Sequence, residues 1–351
     1  MEVSTWPTVS ICTPTFNRRP FIPYMIKCWE QQDYPRDKLE WIIIDDGTDK
    51  IGDLVSHLPG VKYFSYETKM VLGEKRNLMH SKTTGEIIVY LDDDDYYPPT
   101  RISHAVEMLN SHPAALCAGS SIIHIYFPHL KQIYRFGPYG PNHATAGTFA
   151  FRRKMLDLGH KYDPAAAICE EKSFLKDYTV PFVQLDSFKT ILVFAHEQNT
   201  FDKRRLLDNK HPKFVNETNL TVDAFMVSNL NVNLEDMKDF YMCRLQIILP
   251  LYKPGLPTMK PDVLKQMAQL EKERAAEYAQ MMKNGNSNNN NNNTIMFKQS
   301  DGNTKVLKPD EVVSILQQQH AHIIHLTKLL EGKDKEIELL KRQKRVDQQI
   351  N

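Results

Sequence analysis

Residues Gly85–Pro99 read Gly-Glu-Ile-Ile-Val-Tyr-Leu-Asp-Asp-Asp-Asp-Tyr-Tyr-Pro-Pro. An apolar strand, Glu86–Leu91, runs without a break into four carboxylates, Asp92–Asp95. Adjacent carboxylates repel and raise one another's pKa, and a chain tolerates this where a cation offsets the repulsion. Hard divalent ions such as Mg²⁺ and Mn²⁺ want oxygen ligands and share them with substrate phosphates. A solvated acidic loop is the bland reading of such a run. The apolar strand before it and the aromatics after it argue against that. In open α/β sheets ligands bind beyond the carboxyl ends of the strands, which is where this cluster falls.

Working outward, the same arrangement recurs. Trp41–Asp45 (WIIID) is a second buried strand that ends in Asp45-Asp46-Gly47. Asp-Gly is also a strong turn dipeptide, so this pair alone decides nothing; two acidic strand ends are harder to dismiss. Strands are expected over Thr8–Thr13, Val61–Tyr66 and Glu86–Leu91, and helices over Pro20–Gln32 and Gly73–Lys82. Strands alternating with helices at this spacing predict crossover units and a mixed, mainly parallel α/β sheet. Ala115–Tyr126, Lys131–Phe136, Thr145–Phe151 and Thr190–His196 read as further strands, and Glu170–Tyr178 as a helix.

The motifs Ile11-Cys-Thr-Pro-Thr-Phe-Asn-Arg, Trp41-IIIDDG, Gly73-Glu-Lys-Arg-Asn-Leu and Gly85-EIIVYLDDDDYYPP resemble, in order and spacing, those of family 2 glycosyltransferases of GT-A fold. The resemblance covers about residues 8–200. It implies a Rossmann-like domain that binds a nucleotide-sugar, with a UDP-sugar the usual donor. Thr13, Pro14, Thr15 and Arg18 would line the nucleotide pocket, and Asp46 or Asp45 would hold the base. Lys75 or Arg76 would approach the sugar-nucleotide. Asp92 and Asp94 would form the DxD pair, with Asp94 the direct ligand of Mn²⁺ or Mg²⁺ and Asp93 a ribose or sugar contact. His196, at the end of the apolar strand TILVFA, would join the metal or the diphosphate. Glu171 stands where the family carries its catalytic base, an Asp, with Glu170 beside it. Thr145-Ala-Gly-Thr-Phe would lie under the donor sugar, with Gly147 allowing close approach. The implied reaction is transfer to an acceptor hydroxyl with inversion, by a single displacement in which a carboxylate takes the acceptor proton.

Two other readings compete. A sugar-nucleotide-forming nucleotidyltransferase carries a glycine-rich loop after its first strand, and TPTFNRRPF holds no glycine. A scaffold built on an inactive transferase fold would not need the aspartates, the Glu pair and His196 together.

The rest of the 351 residues predicts appendages to the domain at 1–200. Residues 201–283 form a mostly helical extension, with helices over Leu234–Leu249 and Pro261–Lys283 and no assignable chemistry. Residues 284–308 begin with NGNSNNNNNN, a polar linker that cannot bury a core. In 309–351, Val312, Leu316, Ile323, Leu326, Leu330, Ile337 and Leu340 step by three and four, with Gln319 and Lys333 polar in the series and Gly332 interrupting it. The expectation is a coiled coil and hence a homo-oligomer, the alternative an amphipathic helix docked on its own domain. A net charge of +1 argues against nucleic acid as a partner. No apolar run reaches the roughly 20 residues of a membrane span, and no signal peptide is evident, so a cytoplasmic protein is expected. Five scattered cysteines without CxxC pairing fit reduced thiols.

Overall fold

The computed structural model describes residues 6–208, 211–227, 233–285, 295–298 and 304–307, together with Gln318, Leu326 and Lys333. Its first compact unit, Met1–Arg274, holds the sheet. The chain runs through β1 (Val9–Thr15), α1 (Ile22–Glu30), β2 (Leu39–Asp45), α2 (Gly52–Val55), β3 (Val61–Ser65), α3 (Leu72–Lys82) and β4 (Ile87–Tyr90). These strands lie in the order β3-β2-β1-β4 and are all parallel. Strand order therefore reverses between β1 and β4, and the crevice at their carboxyl ends is a switch point of the kind that binds ligands.

The apolar runs of these strands are buried on both faces. Val9, Ile11, Trp41, Ile43, Ile87 and Val89 enter one core, and their alternate neighbours Cys12, Ile42, Ile44, Ile88 and Tyr90 enter the other. Alternate side chains point to opposite faces, so a strand covered on both sides must be apolar throughout. That is why EIIVYL and WIII show no polar alternation.

After α4 (Arg101–Ser111) the architecture becomes irregular, through β5 (Cys117–Gly119), β6 (Ile123–Phe127), β7 (Gln132–Phe136), β8 (Ala150–Arg152), α5 (Lys154–Asp157), α6 (Glu171–Phe174), β9 (Phe182–Gln184), β10 (Leu192–Phe194) and β11 (Val215–Glu217). β8, β5 and β9 extend the main sheet beyond β4, with β8 antiparallel to both β4 and β5. β10, β6, β7 and β11 form a second, four-stranded sheet. The single strand expected over Ala115–Tyr126 is thus two strands in two sheets. The break is at Ser120 and Ser121, whose amides bond the Thr148 hydroxyl at 3.0 Å and the Gln184 side chain at 2.7 Å instead of a ladder partner.

The helix expected over Glu170–Tyr178 is one turn, α6, because Lys176, Asp177 and Tyr178 all take positive φ. The extension holds α7 (Leu234–Asp239), a π-helical turn at Phe240–Arg244, α8 (Leu245–Ile248) and α9 (Pro261–Gly285). In the second unit, Ala275–Asn351, β12 (Ile295–Lys298) pairs antiparallel with β13 (Thr304–Leu307). The coiled coil expected over 309–351 lies outside the described residues apart from the three single positions. Among the described residues no helix is long and apolar enough to cross a membrane.

Candidate active site

At the switch point lies a cavity of about 600 Å³. Pro14, Thr15 and Arg18 come to it from the end of β1, Lys75 and Arg76 from α3, and Asp92–Asp95 from the end of β4. A bridge between Tyr96 and Leu192 ties the loop after β4 to β10. This brings the segment after β10, with His196 and Asn199, onto the aspartates.

The four aspartates have distinct surroundings. Asp94 Oδ2 lies 3.0 Å from Arg18 Nη2 and 3.2 Å from His196 Nε2. Burial pushes the Asp94 carboxyl up, but the Arg18 charge outweighs it and holds it well below the usual range. Asp93 Oδ1 is 3.3 Å from Arg18 Nε, and burial raises it to about 7 against that charge. Asp95 turns inward, accepting from the Phe194 amide at 3.1 Å, and burial followed by the Asp94 charge raises it well above the usual range. Asp95 is a core residue that joins β4 to β10. Asp92 sits 3.8 Å from Arg76 Nη2 and is raised, first by burial. Gly147 lies against it: a Cβ there would come within 2.7 Å of Asp92 Oδ2.

The residues fit a divalent cation at Asp94 and His196. The His196 amide donates to Asn199 Oδ1 at 2.8 Å, which fixes the Asn199 side chain so that its Nδ2 faces His196 Nε2 at 2.8 Å. Asn199 Nδ2 can only donate, so Nε2 is the acceptor of the ring. Burial lowers the His196 pKa to about 4, leaving the imidazole neutral near neutral pH. Nε2 and Asp94 Oδ2 stand 3.2 Å apart and share Asn199 Nδ2 as donor, which reaches Oδ2 at 3.2 Å; a divalent cation would be an alternative partner for the same two atoms. Among the described residues no group of three His, Cys, Asp or Glu side chains is arranged to hold a metal alone.

The carboxylates of the second acidic strand end are used differently. Asp45 accepts from the Gly47 amide at 2.9 Å, the Ile51 amide at 3.0 Å and the Tyr63 hydroxyl at 2.7 Å. Asp46 accepts from the Met70 amide at 2.6 Å and pairs with Lys75, whose ammonium also donates to the Thr15 carbonyl at 3.0 Å. Neither aspartate lines the cavity. Thr13 is internal too, donating to the Leu91 carbonyl at 2.6 Å and accepting from the Trp41 indole at 2.9 Å.

Glu170 and Glu171 both reach the cavity, from the start of α6. Arg76 Nε holds Glu170 Oε1 at 3.0 Å, and the guanidinium lies 4.5 Å from the centroid of the Tyr90 ring. Burial and the neighbouring Glu171 raise Glu170 to about 7 against the Arg76 charge. Glu171 Oε1 accepts from the Ala146 amide at 3.1 Å, within a 3-10 turn at Ala146–Thr148 where a strand was expected. That turn thus touches the Glu pair through Ala146 and Asp92 through Gly147.

The helical extension, in which no chemistry was expected, supplies the remaining wall. Lys203, Lys260, Asp262, Val263 and Arg274 all line the cavity. Lys69, also on the wall, pairs with Asp262 at 2.5 Å. No motif marks these residues; a lysine before the proline that opens a helix is ordinary in sequence.

Residues 10–171 match the family model described as Glycosyl transferase family 2. Poly(ribitol-phosphate) beta-N-acetylglucosaminyltransferase TarS of Staphylococcus aureus is 26% identical over 108 residues, 29% of this chain and 19% of TarS. An uncharacterized glycosyltransferase of Haemophilus influenzae is 26% identical over 106 residues, 30% of this chain and 35% of that protein. The chain thus spans about a fifth and a third of the lengths of these relatives. Among solved structures, TarS in complex with UDP-GlcNAc is 19% identical with a TM-score of 0.42, covering 54% of this chain and 59% of that one. The mannosyltransferase PcManGT from Pyrobaculum calidifontis, in complex with GDP-Man and Mn²⁺, is 14% identical with a TM-score of 0.45, covering 80% and 81%. The family match thus covers residues 10–171, a little under half of the chain, and makes the sheet domain similar to glycosyltransferase family 2.

Proposed function

We propose that this protein transfers a sugar from a nucleoside-diphosphate sugar to an acceptor hydroxyl with inversion, aided by a divalent cation at Asp94 and His196. The observation that carries this reading is the meeting of Asp94 Oδ2 and His196 Nε2, 3.2 Å apart, in a cavity that Arg18, Lys75, Arg76 and Lys260 also line. When bound, the cation would offset charge that develops on the leaving diphosphate. Arg18 and Arg76 orient the donor. Each has a buried Nη1 without a hydrogen-bond partner among the described residues, and spare guanidinium donors suit phosphate oxygens. Glu171 takes the acceptor proton, and the Ala146 amide fixes the direction of its carboxylate. Glu170, held by Arg76, keeps that arginine in place beside Asp92. A UDP-sugar is the donor by family resemblance. The tail at 309–351 joins copies of the chain into a homo-oligomer; an unchanged solution mass after deletion of residues 294–351 would refute that part.

The test is release of nucleotide from a panel of UDP- and GDP-sugars with Mn²⁺, Mg²⁺ or EDTA, without acceptor. Slow release of one nucleotide that stops in EDTA is expected. Release that ignores EDTA would remove the cation, and absence of both release and binding across the panel would remove the transferase reading.

A further inference from the structure

Lys260 is a buried cation with little to balance it. It directly precedes α9, and its side chain lines the cavity while only 5% of the residue is exposed. An ammonium has three donors. One goes to the Gln198 carbonyl at 2.8 Å, and among the described residues no carboxylate lies within ion-pairing distance. The charged form is disfavoured here: burial first, then the Arg18 charge, lowers the Lys260 pKa well below the usual lysine range against the pull of Asp94 and Asp93, and an anion beside it would restore the charge. Asp93 and Asp94 are already engaged by Arg18. Leaving a charge buried and unpaired is unfavourable, and proteins keep one where a ligand completes it.

The position of Lys260 is fixed from two sides. Gln198, two residues past His196, donates to the Leu249 carbonyl at 2.8 Å and the Tyr252 carbonyl at 3.1 Å. The segment that leads into α9 is therefore pinned to the segment that carries His196. α9 itself begins at the cavity, with Val263 and Asp262 of its first turn on the wall. The first amides of a helix have no partner within it, and its dipole favours an anion there. Asp262 opposes such an anion, but its charge is met by Lys69 at 2.5 Å.

We propose that Lys260 and the first turn of α9 bind the phosphates of the nucleoside-diphosphate donor, so that residues beyond the family-matched part of the chain complete the donor site. This rests on the donor reading above. It also assigns a task to the extension: the sheet supplies Arg18, Arg76 and the cation ligands, and the extension supplies a further positive group.

The test compares binding of UDP, UMP, GDP and GMP with Mn²⁺ to the full chain and to Lys260→Met, by calorimetry, with thermal melts of both proteins without ligand. Binding of the preferred diphosphate should weaken roughly 10- to 100-fold, as for loss of a charge-assisted hydrogen bond. The monophosphate should weaken less. The melting temperature of the ligand-free variant should stay level or rise, since a poorly compensated charge has been removed. Equal loss of mono- and diphosphate binding with a lower melting temperature would make Lys260 a structural strut and overturn the proposal. So would unchanged diphosphate affinity. If Lys260→Met does not fold, Lys260→Gln and Lys260→Arg carry the same comparison, with Arg expected to retain more diphosphate affinity than Gln. Failure of the unaltered chain to bind any diphosphate would instead overturn the transferase reading itself.

Discussion

Two acidic strand ends face different fates in this molecule. At the end of β2, Asp45 is surrounded by local donors: two backbone amides of its own turn and the Tyr63 hydroxyl. At the end of β4, Asp94 meets only side chains brought from elsewhere in the chain, and one of them, His196, presents a lone pair. The first carboxylate is satisfied by folding alone. The second is held by Arg18 and Asn199, donors carried in from distant segments, with His196 Nε2 beside them. The count of aspartates does not separate these cases; the supply of donors does.

The comparison can be broken most forcefully at Asp94. Asp94→Asn should abolish Mn²⁺-dependent nucleotide binding while the fold stays intact, and persistence of binding by calorimetry would show that the two strand ends are alike. Glu171→Gln should keep donor affinity but lower turnover by roughly 10²- to 10⁴-fold, the usual share of a general base. Full turnover would move the proton transfer to another group. Asp45→Ala should act on the fold instead, leaving two amides and a hydroxyl in need of partners. A loss of about 1–3 kcal/mol in denaturant unfolding is expected, with activity per folded molecule retained. A stable but inactive Asp45→Ala would put this residue in the donor site after all.

The smallest effect is one of pH. Glu170 has its pKa raised from 4.5 to about 7 by burial and by Glu171. Between those values the folded chain holds a proton that the unfolded chain has released, so this group's contribution to stability is lost as pH rises through the window. The unaltered protein should therefore lose stability relative to Glu170→Gln between about pH 4.5 and 7. Melting curves of the two proteins at both ends of the window check it, and a constant difference would contradict it.

How far the sequence could be read follows the same division. β1, β2, β3 and β4 appear within two residues of their expected bounds, because strands buried on both faces need unbroken apolar runs that leave a plain signature. The aspartates after β4 stand out for a related reason: four adjacent carboxylates at the end of an apolar strand repel one another, and the cation proposed there would relieve that. The second half was less legible. Ser120 and Ser121 turn the chain between sheets as their backbone amides donate to the Thr148 and Gln184 side chains, partners that no local pattern discloses. Lys260 is hidden for the same cause: its meaning comes from Gln198 and Arg18, and in its own neighbourhood it is one more lysine before a helix. Thr13, Asp45 and Asp46 lie where the motifs put them, but hydrogen bonds to Trp41, Tyr63 and Lys75 turn them away from the cavity.

The 3-10 turn at Ala146–Thr148 touches two carboxylates carried by different elements. Its Ala146 amide holds Glu171, and its Gly147 leaves no room beside Asp92 for even a methyl group. The turn cannot give way toward one carboxylate without changing its hold on the other. On the reading proposed above, an acceptor that displaced this turn would shift Glu171 and crowd Asp92 together.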